Sequence, residues 1–218
     1  MHIEIGILSP DKLAYAAAGA ATLLVAHAPA LLRRPALWLR TALAGLFFSV
    51  LMQLWHVPVG PSELHLIGAM PIYLLFGLVP TLFGFGAGLL LQALLFEPQD
   101  MAHLAINFLS LGVPLLAVHH LLGRRLQRLT VANVLKLDAM YYGGVTAMVG
   151  FWLAISNLAT PLAGWAGFAA SYLLLVAVEP LVTVGLVVLG GRLQPGRGSA
   201  LLALALDEGW RRRAGLAA

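Results

Sequence analysis

Long uncharged, apolar stretches alternate with short polar ones along the chain, over residues 13–32, 41–55, 64–96, 101–123 and 139–178. A run of about 20 such residues is the length of a helix that crosses a bilayer. The run 64–96 is too long for one helix and is punctuated by Pro71 and Pro80. The run from 139 continues past Glu179 to Gly190 and contains Asn157, Pro161 and Gly164. Each of these two therefore reads as a pair of helices. The pattern predicts helices at roughly 12–32, 35–56, 64–79, 81–96, 101–122, 134–157 and 165–190. The expected fold is an all-α integral membrane bundle of about seven transmembrane helices. It occupies residues 1–190 as one domain, with a basic cytoplasmic tail over 191–218 expected to form a short surface helix.

Composition supports the membrane reading and narrows the chemistry. Of the 218 residues 61% are hydrophobic and 10% charged, with a mean hydropathy of +0.91, where a soluble domain carries about a quarter charged residues. The absence of cysteine removes disulfides and thiolates, leaving His, carboxylates, amides and the terminal amine as metal donors. The net charge of +4 does not indicate nucleic acid, because the basic residues follow a topological pattern. Arg33, Arg34 and Arg40 follow the first helix; Arg124, Arg125, Arg128 and Lys136 the fifth; Arg192, Arg197, Arg211, Arg212 and Arg213 the seventh. With seven spans all of these fall on one side and only Lys12 on the other, while Glu63, Glu97 and Asp100 sit on the side poor in Lys and Arg. The positive-inside rule then puts the N-terminus outside and the C-terminus in the cytoplasm, as expected of a multi-pass protein of the inner (plasma) membrane. The basic residues follow the first apolar run rather than precede it, the reverse of a secretory signal.

The chemistry starts at Met1-His2. A free Met1 amine and the His2 backbone nitrogen close a five-membered chelate ring, and the His2 Nδ1 closes a six-membered one. Three nitrogens then share a plane, which suits ions with tetragonal preferences such as Ni²⁺ and Cu²⁺. His65, in a Pro- and Gly-punctuated segment expected on the same outer side, is the best candidate for the fourth ligand. From the residues alone an alternative stays open, in which His2 is an ordinary terminal residue and His65 an interfacial histidine. His103 and Asn107 share a helix face one turn apart and could orient a liganding imidazole or simply join helices. His56 falls on the outer side; His27, His119 and His120 fall near the inner one and receive no role. Glu179, followed by Pro180, is an intramembrane carboxylate of the kind that marks function by default. A polar pocket, a histidine partner and a packing role are all open to it. No Walker A loop, nucleophile elbow or His-Glu-x-x-His occurs, so no ATPase site or hydrolytic enzyme is read here.

Several segments together resemble the cobalt/nickel substrate-capture proteins (CbiM/NikM-like S components) of energy-coupling factor ABC transporters. They are Met1-His2-Ile3 with Gly6, Leu8 and Pro10; Glu63-Leu64-His65-Leu66-Ile67-Gly68; Gln92-Ala93-Leu94-Leu95-Phe96; Asn107 in its helix; and Val178-Glu179-Pro180-Leu181. The resemblance implies a six-helix substrate-binding core plus one N-terminal helix. It implies Co²⁺ or Ni²⁺ as transported substrate, held by Met1, His2 and His65, with no organic cofactor. It also implies a transmembrane coupling subunit, cytoplasmic ATPases and a small accessory membrane protein as partners. Glu63 beside His65, and Glu97, Asp100 and His103 after the fourth helix, depart from the family pattern and leave cobalt against nickel undecided. Two rivals remain from the sequence: a membrane enzyme built on Glu179, His103 and Asn107, and a capture component for an organic micronutrient.

Overall fold

A computed structural model describes residues 6–54, 56–59, 62–157, 162–192 and 204–209, with the side chains of 58–59, 62–63 and 186–192 left out of the description. Seven α-helices and one hairpin follow in order: α1 (Pro10–Leu32), α2 (Ala36–Leu54), β1 (His56–Val59), β2 (Ser62–His65), α3 (Ala69–Phe76), α4 (Leu78–Leu95), α5 (Leu104–Leu121), α6 (Val131–Ala154) and α7 (Leu162–Arg192). Short 3-10 turns at Pro98–His103 and Gly123–Arg125 bracket α5. Among the described residues, five segments are long and apolar enough to cross a membrane: Pro10–Leu32, Ala36–Leu54, Leu78–Leu95, Pro98–Arg125 and Leu162–Gly185.

The expected third helix, 64–79, is corrected. Its first residues belong to a β-strand, and α3 has only 8 residues, about 12 Å of rise against a hydrocarbon core of about 30 Å. Glycines set both ends of α3. Gly68 precedes it at φ 63° and Gly77 separates it from α4 at φ 87°, backbone conformations that side chains with a Cβ avoid. The antiparallel hairpin pairs His56 with His65, Val57 with Leu64, Pro58 with Glu63 and Val59 with Ser62.

Tertiary contacts define two ends of the bundle. At one, Lys12 Nζ donates to Asn157 Oδ1 at 2.7 Å, and the Asn157 amide donates to the Ile7 carbonyl at 2.8 Å. The start of α1 thus meets the end of α6. At the other, Arg40 Nε donates to the Leu204 carbonyl at 2.9 Å and its guanidinium lies 3.6 Å from Asp207, whose amide donates to the Leu75 carbonyl at 2.7 Å. Residues 204–209 of the tail therefore dock where α2 begins and α3 ends. The Gly68 amide, by contrast, reaches Glu179 about midway along α7. So α3 runs from mid-bundle to the basic end, and the hairpin completes the same passage.

The core lies between α2, α4, α5, α6 and α7, with α1 on the outside burying only Ala16, Ala20 and Leu31. The tightest seam joins α2 to α4. There a Cβ added to Gly84 would stand 2.6 Å from the Ala44 Cβ and 3.0 Å from the Gly45 nitrogen. Small residues at such a crossing bring backbones together, which in lipid replaces the hydrophobic drive that water would supply.

Candidate metal-capture site

His65 is the last residue of β2 and is 3% exposed, flanked by buried Leu64 and Ile67. Its strand packs against both α2 and α7. The strand register sets His56 directly opposite it, with the two imidazoles stacked at 5.7 Å between centroids and 15° between planes. His56 is exposed. The pair therefore runs from an open imidazole to a buried one, at the mouth of the hairpin.

Three residues beyond His65, the Gly68 amide donates to Glu179 Oε1 at 2.5 Å, and the Ile67 and Ala69 amides act on the same carboxylate. Glu179 is fully buried. Its charge meets the unpaired N–H groups and the positive dipole end of α3. Gly68 permits this twice over: its positive φ exposes the amide, and a Cβ there would overlap Leu51 of α2. Of the roles open to Glu179 from sequence, this one is structural, and its effect is specific. It ties the junction that follows His65 to the middle of α7.

Met1 and His2 lie outside the described residues, as does the Glu63 side chain. Among the described residues no group of three or more His, Asp or Glu stands ready to hold a metal. His103 and Asn107 are each 1% exposed and lie one turn apart, as their spacing suggests. They sit at the start of α5, whose main neighbours are α1, α4 and α6, whereas the hairpin's are α2 and α7. The Asn107 Oδ1 is buried without a hydrogen-bond partner. At the basic end, His119 Nδ1 and the Tyr73 hydroxyl are 2.9 Å apart, and His27 Nδ1 meets the Leu23 carbonyl at 2.9 Å.

Two features escaped the sequence. His56 had a signal, a second histidine at the other end of a proline- and glycine-rich hairpin. Asp138 received no reading from the sequence, two residues after Lys136 and just before the run from 139. Its i+4 spacing to Tyr142, and the seven-residue spacing of Tyr172 to Glu179, put polar groups on facing stripes of α6 and α7. All of these side chains are buried.

The family model for the cobalt uptake substrate-specific transmembrane region, CbiM, matches residues 2–196. This chain belongs to that family. It is accordingly a multi-pass membrane protein and a component of metal uptake. A solved structure described as that of a transition metal transporter shares the fold, with a TM-score of 0.64 at 22% identity over 87% of this chain and 94% of that one. No curated protein sequence matches the chain significantly.

Proposed function

We propose that this chain is the substrate-capture subunit of an energy-coupling factor transporter importing Co²⁺ or Ni²⁺. The metal is bound by the Met1 amine, the His2 amide nitrogen and imidazole, and His65. The observation that carries the reading is His65 itself, buried at the end of β2 in a chain of the cobalt-uptake family. A coupling subunit in the membrane, cytoplasmic ATPases and a small accessory membrane protein supply the energy and the release. The N-terminus faces outward and the C-terminus the cytoplasm of the inner membrane. In this orientation the His56–His65 hairpin opens toward the incoming ion, and the basic end with Arg40 and Arg124 faces the ATPases.

Several residues placed before Met1 convert the amine to an amide and carry the new terminus out of register. Such an extension abolishes tight Ni²⁺ and Co²⁺ binding while the protein still folds; elemental analysis of the purified, detergent-solubilised chain reads this directly. Equal stoichiometric metal in native and extended chains overturns the terminal chelate. His2→Ala does equal damage, and His65→Ala weakens binding less, since water can take the fourth position. Acid releases the metal, because amine, amide and imidazole must all be unprotonated to ligate. Reporters active only outside the cytoplasm work at the N-terminus and near Gln99, and cytoplasmic reporters near Gln127 and Ala218. A cytoplasmic signal at Gln99 overturns the seven-helix count.

A further inference from the structure

Between α6 and α7, beneath the point where Glu179 meets Gly68, five buried side chains converge: Asp138, Tyr141 and Tyr142 of α6, and Tyr172 and Glu179 of α7. None is more than 2% exposed. Asp138 and Glu179 act on each other electrostatically, and Glu179 also acts on all three tyrosines. The rings of Tyr141 and Tyr142 stand 5.3 Å apart and those of Tyr142 and Tyr172 5.4 Å, so the phenols form one continuous wall. Both Asp138 oxygens and the hydroxyls of Tyr141 and Tyr172 are buried without a hydrogen-bond partner, while the Tyr142 hydroxyl is a hydrogen-bond partner of the Glu179 carboxylate.

Such a concentration of unmet oxygens is costly inside a membrane bundle, where buried polar groups are normally satisfied. Two buried carboxylates that act on each other are relieved by a proton on one of them or by a cation between them, and a proton alone would leave the Asp138 oxygens still without partners. Among the described residues Glu179 is the charged side chain that acts on Asp138, and none of them brings a counter-charge there. The donors are all oxygen, which selects hard divalent ions or ions tolerant of oxygen ligands over thiolate- or imidazole-seeking ones. Two carboxylates match a charge of two. The tyrosine oxygens can complete the coordination directly or by holding waters.

We propose that Asp138 and Glu179, walled by Tyr141, Tyr142 and Tyr172, form an internal divalent-cation site distinct from the His65 hairpin. Its occupant is drawn either from bulk Mg²⁺ or Ca²⁺, locking α6 to α7 and α3, or from the transported ion on its passage toward the basic end. The site stands whether or not the terminal chelate exists.

The full-length chain, N-terminally extended to silence the terminal amine and stripped with chelator, is titrated with Mn²⁺ as a hard spectroscopic probe. The free six-line Mn²⁺ resonance disappears as the ion binds, and the thermal midpoint rises with it. One Mn²⁺ per chain is expected, with affinity reduced about tenfold or more by Asp138→Asn and less by Tyr172→Phe. Competition separates the sources. Displacement by millimolar Mg²⁺ or Ca²⁺ identifies a resident structural ion, and displacement only by Co²⁺ or Ni²⁺ identifies a station for the cargo. Absence of Mn²⁺ binding in the folded chain, or binding unchanged in both Asp138→Asn and Tyr172→Phe, overturns the site. Should Asp138→Asn fail to fold, Tyr172→Phe carries the comparison alone. Loss of nickel on N-terminal extension tests the terminal chelate separately, so the two ideas fail independently.

Discussion

Along the α2–α4 seam, Gly45, Gly84 and Gly88 let two backbones approach until the helices touch, and Phe48 and Phe85 close the gap at 5.1 Å between rings. Between α6, α7 and the α3 junction the same bundle does the opposite. It buries two carboxylates and three phenols and interrupts a helix, so that a hairpin dips to mid-bundle. The first region buries no carboxylate, carries its few polar contacts at Ser49, Gln53 and Gln92, and tolerates almost no added volume at Gly84. The second holds polar groups at a cost in stability that packing elsewhere must offset, which is the usual signature of a working site. The seam is the frame against which the hairpin and its Glu179 tie are positioned, since α2 packs on both α4 and β2.

The comparison is broken most severely by filling the seam. A Cβ at Gly84 already meets the Ala44 Cβ at 2.6 Å and backbone atoms at 3.0 and 3.1 Å, so Gly84→Leu must part the helices. Overpacking of this kind costs about 1–3 kcal/mol or more, and the expected outcome is loss of the monodisperse, detergent-stable protein on size exclusion. Gly167 and Gly143, beside which nothing lies within 4 Å, serve as controls, and their alanine variants should melt close to the parent. Equal loss from Gly84 and Gly167 would show the seam to be no frame at all.

The next effect belongs to the other region. Glu179→Ala leaves the Gly68 amide buried and unpaired, a cost of about 1–3 kcal/mol in stability. It also frees the junction behind His65. Metal affinity should fall about 10–100-fold, the range for groups that orient a ligand. Glu179→Gln, which keeps an oxygen for that amide, should recover most of the loss. A purely structural defect would lower the melting point of both variants in proportion, without this split in nickel affinity by calorimetry.

Much of this frame was legible in the residues. The apolar runs located α1, α2, α4, α5, α6 and α7, because a membrane helix needs a long uncharged stretch and little else. The hairpin was not legible. Four-residue strands, the first containing Pro58, carry almost no periodic signal; here β1 pairs with β2, which packs against α2 and α7. Glu179 stood out as a charge in an apolar helix, but its partner is a backbone amide 111 residues away, and no side-chain pattern announces an amide. Asp138 drew no reading from the sequence, where it lies two residues from Lys136 just before an apolar run, although its side chain is fully buried. His65 was picked from chemistry and is buried, while the exposed His56 stacked on it depended on a strand register the sequence did not reveal.

The smallest effect tests whether the seam is as independent of polar contacts as its glycines suggest. Gln92 of α4 is buried, accepts from Gln53 Nε2 at 2.5 Å, and donates from its own Nε2 to the Ser49 carbonyl at 2.9 Å. It is the polar bridge across the end of the α2–α4 contact. Interhelical hydrogen bonds of this type in membrane proteins contribute about 0.6 kcal/mol on average. Gln92→Leu keeps nearly the same volume, and Gln53, which is exposed, can turn its amide to water. The Ser49 carbonyl lies within α2 and keeps its helical partner. The variant should therefore shift the denaturation midpoint only slightly, and a Gln53→Leu/Gln92→Leu double-mutant cycle should give a coupling of about 0.6 kcal/mol. A coupling several times larger would mean that the bridge, rather than the close approach at Gly84, fixes the register of α2 against α4. In that case the contrast between a dry frame and a polar site would no longer describe this bundle.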